Sequence, residues 1–122
     1  MKIAVSSTTN TIDGEIDQRF GRCPYFLIID SETLNFTVID NESTLASGGA
    51  GIKAAETIVR SNAEVVLTGN IGPNAFQTLS AGDITIYTGL TGAIKESIDR
   101  YKNGSLQKTT NATVGSHAGM KR

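Results

Sequence analysis

The chain has 122 residues, of which 39% are hydrophobic and 19% are charged, and its formal net charge is −1 at pH 7. These values indicate one globular domain, and a charge so close to neutral argues against a dedicated nucleic-acid-binding protein. No apolar run approaches the ~20 residues of a membrane helix, and the first residues do not resemble a secretory leader. The single cysteine, Cys23, excludes an intramolecular disulfide framework. We therefore expect a cytoplasmic protein with no membrane partner and a reduced thiol.

The first part of the chain predicts three strands. Lys2–Ser6 is a short apolar strand, followed by a long loop, 7–24, whose acidic residues we expect to be solvated. Tyr25–Asp30 is a continuous apolar run, typical of a strand buried on both faces. Leu34–Asp40 alternates between apolar and polar residues, which indicates a half-exposed strand at a sheet edge. The tight turn between the last two strands predicts an antiparallel hairpin.

The second part of the chain alternates helices with strands. Apolar residues recur at helical spacing over 52–60, 73–81 and 91–103, which predicts three helices. Between the helices, Val65–Thr68 predicts a buried strand and Ile84–Tyr87 predicts another strand. Strands that alternate with helices require right-handed crossovers and parallel neighbours.

These elements predict an α/β fold built on a mixed five-stranded sheet. The expected strand order is 3-2-1-4-5, with strand 2 antiparallel and with helices on the faces of the sheet, an arrangement that matches the ribonuclease-H-like motif. Residues 1–104 form the single predicted domain. Residues 105–122 are rich in Thr, Ser, Gly and Ala and show no apolar period, so we expect a flexible tail. His117, the only histidine, falls in this tail, where a fixed catalytic role is not expected.

Three glycine-bearing loops precede the predicted helices. They are Ser47-Gly48-Gly49-Ala50-Gly51, Thr68-Gly69-Asn70-Ile71-Gly72-Pro73-Asn74 and Thr88-Gly89-Leu90-Thr91-Gly92. In an open α/β sheet such loops gather beyond the carboxyl ends of the strands, where ligands bind. Glycine allows backbone N–H groups to approach a ligand and helix N-termini add partial positive charge, so the loops favour an anion. The alternative is that the glycines only satisfy tight turns.

A second candidate site surrounds the cysteine. Cys23 is preceded by Arg19, Phe20, Gly21 and Arg22. Nearby arginines favour a thiolate, and a thiolate is a ligand for iron or copper. The alternative is a small apolar residue packed at the start of a strand, as free cysteines usually are.

No active site emerges from the remaining motifs. The segment 49–54 nominally fits a dinucleotide-binding pattern, but it follows an edge strand, and about 20 residues later the expected acidic residue is missing. The predicted first strand has no carboxylate that could hold a metal ion for a nuclease. One histidine in a predicted tail leaves no nucleophilic triad. We therefore expect no enzymatic activity.

Three segments in order carry a family resemblance. They are Phe20-Gly21-Arg22-Cys23-Pro24-Tyr25-Phe26, Ala46-Ser47-Gly48-Gly49-Ala50-Gly51-Ile52-Lys53-Ala54-Ala55 and Gly72-Pro73-Asn74-Ala75-Phe76. Over 1–104 the sequence resembles the dinitrogenase iron–molybdenum cofactor biosynthesis family, with its NifX- and NifB-type domains. The resemblance implies the ribonuclease-H-like fold and a carrier that binds an anionic metal–sulfur cluster, of iron–sulfur or iron–molybdenum type, or its precursor. Small stand-alone members occur in archaea and anaerobic bacteria.

The resemblance also suggests a binding site and partners. The cluster, transiently bound, would contact Arg19, Phe20, Gly21, Arg22, Ser47, Gly48, Gly49, Gly51, Gly69, Asn70, Gly72 and Asn74, with Cys23 as the candidate metal ligand. Expected partners are cluster-assembly or recipient proteins, and the chain is expected to be a monomer or a weak homodimer. Two alternatives stay open: the same loops bind a small anion such as a phosphate-bearing metabolite, with Cys23 structural, or the domain only docks onto a partner protein.

Overall fold

The computed structural model describes residues 1–41 and 49–114. Its strands are β1 (Lys2–Ser7), β2 (Tyr25–Asp30), β3 (Phe36–Asp40), β4 (Val65–Leu67) and β5 (Thr85–Tyr87), and its helices are α1 (Ala50–Arg60), α2 (Pro73–Ala81) and α3 (Ile94–Lys102). The predicted order of elements is confirmed. The β3 strand begins two residues later than predicted, because Leu34 takes a positive φ of 64° in the turn that precedes it. None of the helices in the described ranges is long and apolar enough to cross a membrane.

The five strands form one sheet in the order β3-β2-β1-β4-β5, which confirms the predicted α/β fold and strand order. The β2 strand pairs antiparallel with both β1 and β3, while β4 pairs parallel with β1 and β5. Val5 of β1 lies between Leu27 of β2 and Leu67 of β4, and all three are completely buried. The apolar runs noted in the sequence therefore form the central strands.

Each face of the sheet has its own apolar cluster. Helices α1 and α2 cover one face, where Ala54, Ala55, Ile58, Ala75 and Leu79 pack against Ala4, Ile28, Val66 and Ile86. Helix α3 covers the other face, where Ile94 and Ile98 pack with Ile12 and Ile16 of the long loop against Ile3, Val5, Leu27, Ile29, Val65 and Leu67. Each helix packs on the sheet through one apolar stripe along its surface. The need to bury both faces of the sheet therefore explains why apolar residues recur at helical spacing in all three helices.

The topology brings the candidate loops to one end of the sheet. Strand β3 is antiparallel to β2, as is β1, so β1, β3, β4 and β5 all run in the same direction. Their carboxyl ends therefore lie at one edge. The glycine loops that follow β4 and β5 leave from this edge, as predicted, and the long loop after β1 leaves from it as well.

The first ten residues beyond 104 pack against the domain. The Thr109 N–H donates to the Ile86 carbonyl over 2.8 Å, and the Thr113 N–H donates to the Ile71 carbonyl over 2.9 Å. Leu106 packs against the apolar cluster under α3. We name residues 105–114 the C-terminal strap. The rest of the predicted tail, including His117, lies outside the described residues.

Candidate functional site

The long loop between β1 and β2 lies across the carboxyl ends of β4 and β5. The Gln18 side-chain amide donates to the Leu90 carbonyl over 2.8 Å. The Asn70 N–H donates to the Gln18 carbonyl over 2.8 Å, and the Phe20 N–H donates to the Asn70 carbonyl over 3.2 Å. These bonds attach the long loop to the loops that precede α2 and α3, so three separate segments form one surface.

Glycines allow these segments to approach at backbone distance. A Cβ atom on Gly69 would lie 2.6 Å from Cα of Gln18, and a Cβ atom on Gly21 would lie 3.0 Å from Cα of Gly51. A Cβ atom on Gly51 would in turn lie 3.4 Å from that of Ala75 in α2. The long loop therefore contacts the first turn of α1 and the loop that precedes α2, and the first turns of α1 and α2 contact each other. Among the glycines of the three loops, Gly69 is required by this close approach and not only by a turn.

Among the residues that the structure describes, no side chain caps the N-terminus of α1 or of α2. Gly49 precedes α1 with a positive φ of 72°, and Gly72 precedes α2, which has Pro73 in its first turn. Within the described residues, neither helix has a side-chain hydrogen bond at its cap or an acidic residue in its first turn. The first N–H groups of a helix have no partner inside it, so these two ends offer hydrogen-bond donors and partial positive charge to an anion.

Arg19 adds an exposed cation to the long loop, at a point where its backbone forms a bridge with Asn70 of the loop that precedes α2. Its side chain is 64% exposed, while the Asp17 side chain is 6% exposed. The Asp17 carboxylate accepts hydrogen bonds from Arg19 Nε over 3.1 Å and from Nη2 over 3.0 Å, and it also accepts one from the Arg19 backbone N–H over 2.9 Å. The hydrogen bond that Arg19 donates to Asp17, together with the negative charge of Asp17, raises the pKa of Arg19. The guanidinium is therefore always protonated.

The burial of Asp17 corrects the expectation that the loop's acidic residues are solvated. Asp13 and Glu15 are exposed, but Asp17 is buried beneath Arg19. The Asp-x-Arg spacing in the sequence was the available signal. A carboxylate can be buried in a loop when a guanidinium two residues later, together with the backbone between them, satisfies its oxygens.

Cys23 lies in the interior. Its side chain is completely buried, and its thiol donates to the Phe20 carbonyl, with Sγ 3.4 Å from the oxygen. The Asn41 amide donates to the Cys23 carbonyl over 2.8 Å. Burial raises the pKa of the thiol to about 12, so it is protonated at neutral pH. This placement agrees with the packing alternative, and metal coordination by Cys23 stays a prediction that needs the loop to expose the thiol.

The remaining predicted residues differ in their placement. Phe20 is buried, and its ring packs against Phe26 with the centroids 5.0 Å apart, so its contribution to the surface is backbone only. Arg22, Asn70 and Asn74 are exposed. Ser47 and Gly48 lie outside the described residues. Among the residues that the structure describes, no three His, Cys, Asp or Glu side chains form a group that could hold a metal ion.

A family model described as dinitrogenase iron–molybdenum cofactor matches residues 1–104. The chain belongs to this family. The family resemblance noted in the sequence is therefore confirmed, and the C-terminal strap lies beyond the matched residues of the dinitrogenase iron–molybdenum cofactor family.

Relatives of this chain are similar over nearly their whole length. An uncharacterised protein of Methanocaldococcus jannaschii is 30% identical over 111 residues, which are 88% of this chain and 91% of the relative. The apo form of the orange protein (ORP) from Desulfovibrio gigas is 36% identical, with a TM-score of 0.89 over 92% of this chain and 95% of that chain. A provisionally assigned NifB protein from Thermotoga is 31% identical, with a TM-score of 0.76 over 92% of this chain and 97% of its own.

Proposed function

We propose that this protein is a non-enzymatic carrier that binds an anionic metal–sulfur cluster, or its precursor, at the surface formed by Arg19 and the first turns of α1 and α2. The observation that carries the proposal is the contact between the first turns of α1 and α2, whose N-termini have no side-chain cap among the described residues, next to the long loop that carries the Arg19 guanidinium held by Asp17. Membership of the dinitrogenase iron–molybdenum cofactor family supports a cluster as the anion. Cluster-assembly or recipient proteins would then be its partners.

The chemistry of the surface suits an anionic sulfur cluster that is bound through hydrogen bonds to its sulfide ligands. Sulfide ligands accept hydrogen bonds, and backbone N–H groups and a guanidinium donate them. Each helix N-terminus contributes about 0.3–1 kcal/mol toward a nearby negative charge, and more where water is excluded. Cys23, the only cysteine, is buried and protonated. Binding in this conformation would therefore rest on hydrogen bonds and charge, which allows a carrier to release its cargo without breaking a metal–thiolate bond.

Anaerobic loading tests the proposal. The purified protein is incubated with iron–sulfur clusters or with thiomolybdate, freed of excess reagent, and measured for metal per chain and for visible charge-transfer absorbance. We expect about one cluster per chain, and weaker retention in Arg19→Ala. Arg100→Ala is the matched control, because Arg100 is exposed on α3. A protein that retains no metal after any of these treatments would rule out the carrier function.

A small anion such as a phosphate-bearing metabolite is the second candidate ligand. The absence of an accessible thiol among the described residues favours it, since phosphate needs only hydrogen-bond donors and positive charge. The two ligands are distinguished by thermal unfolding with and without phosphate compounds. Stabilisation by phosphate, with no metal retained, would replace the carrier function by this one, and Cys23→Ala would then bind phosphate as the unaltered protein does.

A further inference from the structure

The exposed apolar side chains of the domain are concentrated on one sheet edge. Among the described residues, the large hydrophobic side chains that are exposed are Met1, Leu34, Phe36 and Val38. Three of these four belong to β3 or to the turn before it, with exposed fractions of 36% for Leu34, 37% for Phe36 and 39% for Val38. Phe36 lies opposite Ile29 and Val38 opposite Leu27, so both continue the apolar face that α3 covers elsewhere.

The hydrogen bonds of the β2–β3 ladder fix the direction of the β3 backbone groups. The Asp30 N–H donates to the Asn35 carbonyl over 2.9 Å, and the Asn41 N–H donates to the Pro24 carbonyl over 3.0 Å. In an antiparallel ladder, hydrogen-bonded residues alternate with residues that direct their N–H and C=O groups the other way. The odd-numbered residues from Asn35 to Asn41 therefore bond to β2.

The even-numbered residues of β3 present a second row of hydrogen-bonding groups. By the same alternation, Phe36, Val38 and Asp40 direct their backbone N–H and C=O groups away from the sheet. The structure gives these groups no protein partner within residues 1–41 and 49–114. The strand thus offers both an apolar row of side chains and an unpaired row of donors and acceptors, which is the arrangement that an added strand requires.

The other edge of the sheet is covered by the chain itself. The C-terminal strap bonds to β5, where the Thr109 N–H donates to the Ile86 carbonyl, and the Thr88 N–H donates to Thr109 Oγ1 over 3.0 Å. The β3 edge lacks such cover in the described structure. Residues 34–39 also contain no charged residue and no proline, the usual protection of an open edge.

The charges around β3 indicate the kind of strand that fits. The charged residues of the segment 25–41 are Asp30, Glu32 and Asp40, all acidic. Hydrogen bonds from the backbone of Thr33 and Glu32 lower the pKa of Asp30, which keeps it ionised. A second copy of this chain would bring its own three carboxylates to the edge, and like charges across a strand pair are destabilising. A strand flanked by basic residues would instead meet opposite charges.

We infer that the β3 edge is a docking site for an extended segment of another protein, which pairs with Phe36 and Val38 as a sixth strand, presents alternating apolar side chains and carries Lys or Arg at its ends. The amide of Asn41, at the end of β3, donates to the Gly21 carbonyl over 3.2 Å. A partner docked on β3 would therefore lie next to the long loop of the candidate site. The docking site does not depend on the identity of the ligand.

Amide hydrogen exchange measured by NMR tests the docking site, because the ladder predicts which amides respond. In the protein alone, we expect the amides of Phe36 and Val38 to exchange rapidly and those of Thr37 and Ile39 to exchange slowly. The probe is a synthetic peptide of eight residues in total. Its four central residues alternate valine and threonine, and two lysines stand at each end. We expect it to slow the exchange of Phe36 and Val38 and to bind roughly tenfold more tightly than the same peptide with glutamate in place of lysine.

Two variants sharpen the test. Val38→Lys puts a cation in the apolar row and should abolish binding of the lysine-flanked peptide, whereas Gln107→Lys, which adds the same charge at an exposed position of the strap, should leave it unchanged. Equal binding of both peptides, or no protection of Phe36 and Val38 by either, would overturn the inference. Protection that rises with protein concentration in the absence of peptide would also overturn it, in favour of a second copy.

Discussion

The buried carboxylate of Asp17 holds the exposed guanidinium of Arg19 through hydrogen bonds to both Nε and Nη2, at 3.1 and 3.0 Å. The two residues are separated by a single position, yet one side chain is 6% exposed and the other 64%. The pair therefore has two roles that mutation can separate. Arg19 supplies a positive charge to the surface, and it also partly satisfies a carboxylate that the fold has removed from water.

Replacing Arg19 should lower stability as well as ligand binding. We expect Arg19→Ala to reduce the free energy of unfolding by about 1 kcal/mol, because Asp17 keeps its backbone N–H partner but loses the guanidinium, and because solvent screens the exposed half of the pair. Arg19→Lys restores the positive charge but not the pair of guanidinium N–H donors that bonds to Asp17. It should therefore recover only part of the lost free energy of unfolding. Urea denaturation measures the free energy of unfolding of both Arg19 variants, with Arg100→Ala as the control. An unchanged midpoint in Arg19→Ala would show that Asp17 does not need the ion pair.

The close approach of the long loop to the β4–α2 loop depends on Gly69. We expect Gly69→Ala to destabilise the fold by about 1–3 kcal/mol, because the new Cβ would lie 2.6 Å from the Gln18 backbone, and a main-chain atom cannot move aside cheaply. Gly72→Ala is the matched control in the same loop: its φ of −84° suits alanine, and nothing lies within 4 Å of the new Cβ. Its effect should stay within about 1 kcal/mol. Equal effects of the two variants would contradict the close packing.

The fold could be predicted from the sequence because its signals are local and repeated. The continuous apolar run in β2 and the helical spacing of apolar residues in α1 each identify one element without reference to any other. The handedness of crossovers then restricts how those elements can be joined. The position of the glycine loops after β4 and β5 at one edge follows from that order, and so does the general location of the candidate site.

The details of the site could not be predicted, because they rest on polar contacts that leave no periodic pattern. Asp17 is buried by a guanidinium and by backbone groups, and a sequence shows only an acidic residue in a loop. Thr109 and Thr113 attach the strap through hydroxyl and backbone hydrogen bonds, which composition alone cannot distinguish from a solvated tail. The two arginines near Cys23 suggested a thiolate, yet desolvation is the largest influence on its pKa and acts in the opposite direction.

The buried thiol of Cys23 makes stability fall at alkaline pH. Its pKa rises from 9.0 to about 12 on folding, so the unfolded chain loses this proton first as the pH increases. The native state then binds more protons than the unfolded state, and between about pH 9 and pH 12 the free energy of unfolding decreases by at most about 1.4 kcal/mol per pH unit. Below pH 9 this contribution is constant.

The Cys23→Ala variant isolates that contribution from other alkaline titrations. Urea denaturation of both proteins is compared at pH 8 and at pH 10.5. We expect the stability difference between them to narrow as the pH rises, because only the unaltered protein loses stability through Cys23. In agreement with this, a thiol reagent should react with the native protein only as fast as the fold opens. Rapid labelling of the native protein at pH 7 would contradict the buried, protonated state and would support the metal-ligand prediction for Cys23.

The Thr113 hydroxyl of the strap should protect the backbone N–H of Ile71 in the β4–α2 loop. The Ile71 N–H donates to Thr113 Oγ1 over 2.9 Å, and the Thr113 N–H returns a hydrogen bond of 2.9 Å to the Ile71 carbonyl. Thr113→Val keeps the shape of the side chain and removes its oxygen, so we expect exchange of the Ile71 amide to accelerate about tenfold or more, a change equivalent to about 1.4 kcal/mol of local opening. Thr113→Ser keeps the oxygen and should retain most of the protection.

Thr109→Val removes the corresponding hydroxyl at β5 and serves as the control, since it should expose the Thr88 amide and leave Ile71 protected. If Ile71 is equally protected in Thr113→Val, the Thr113 hydroxyl does not hold the loop, and the strap acts on it through the backbone hydrogen bonds from Thr113 and Val114 to the Ile71 carbonyl instead.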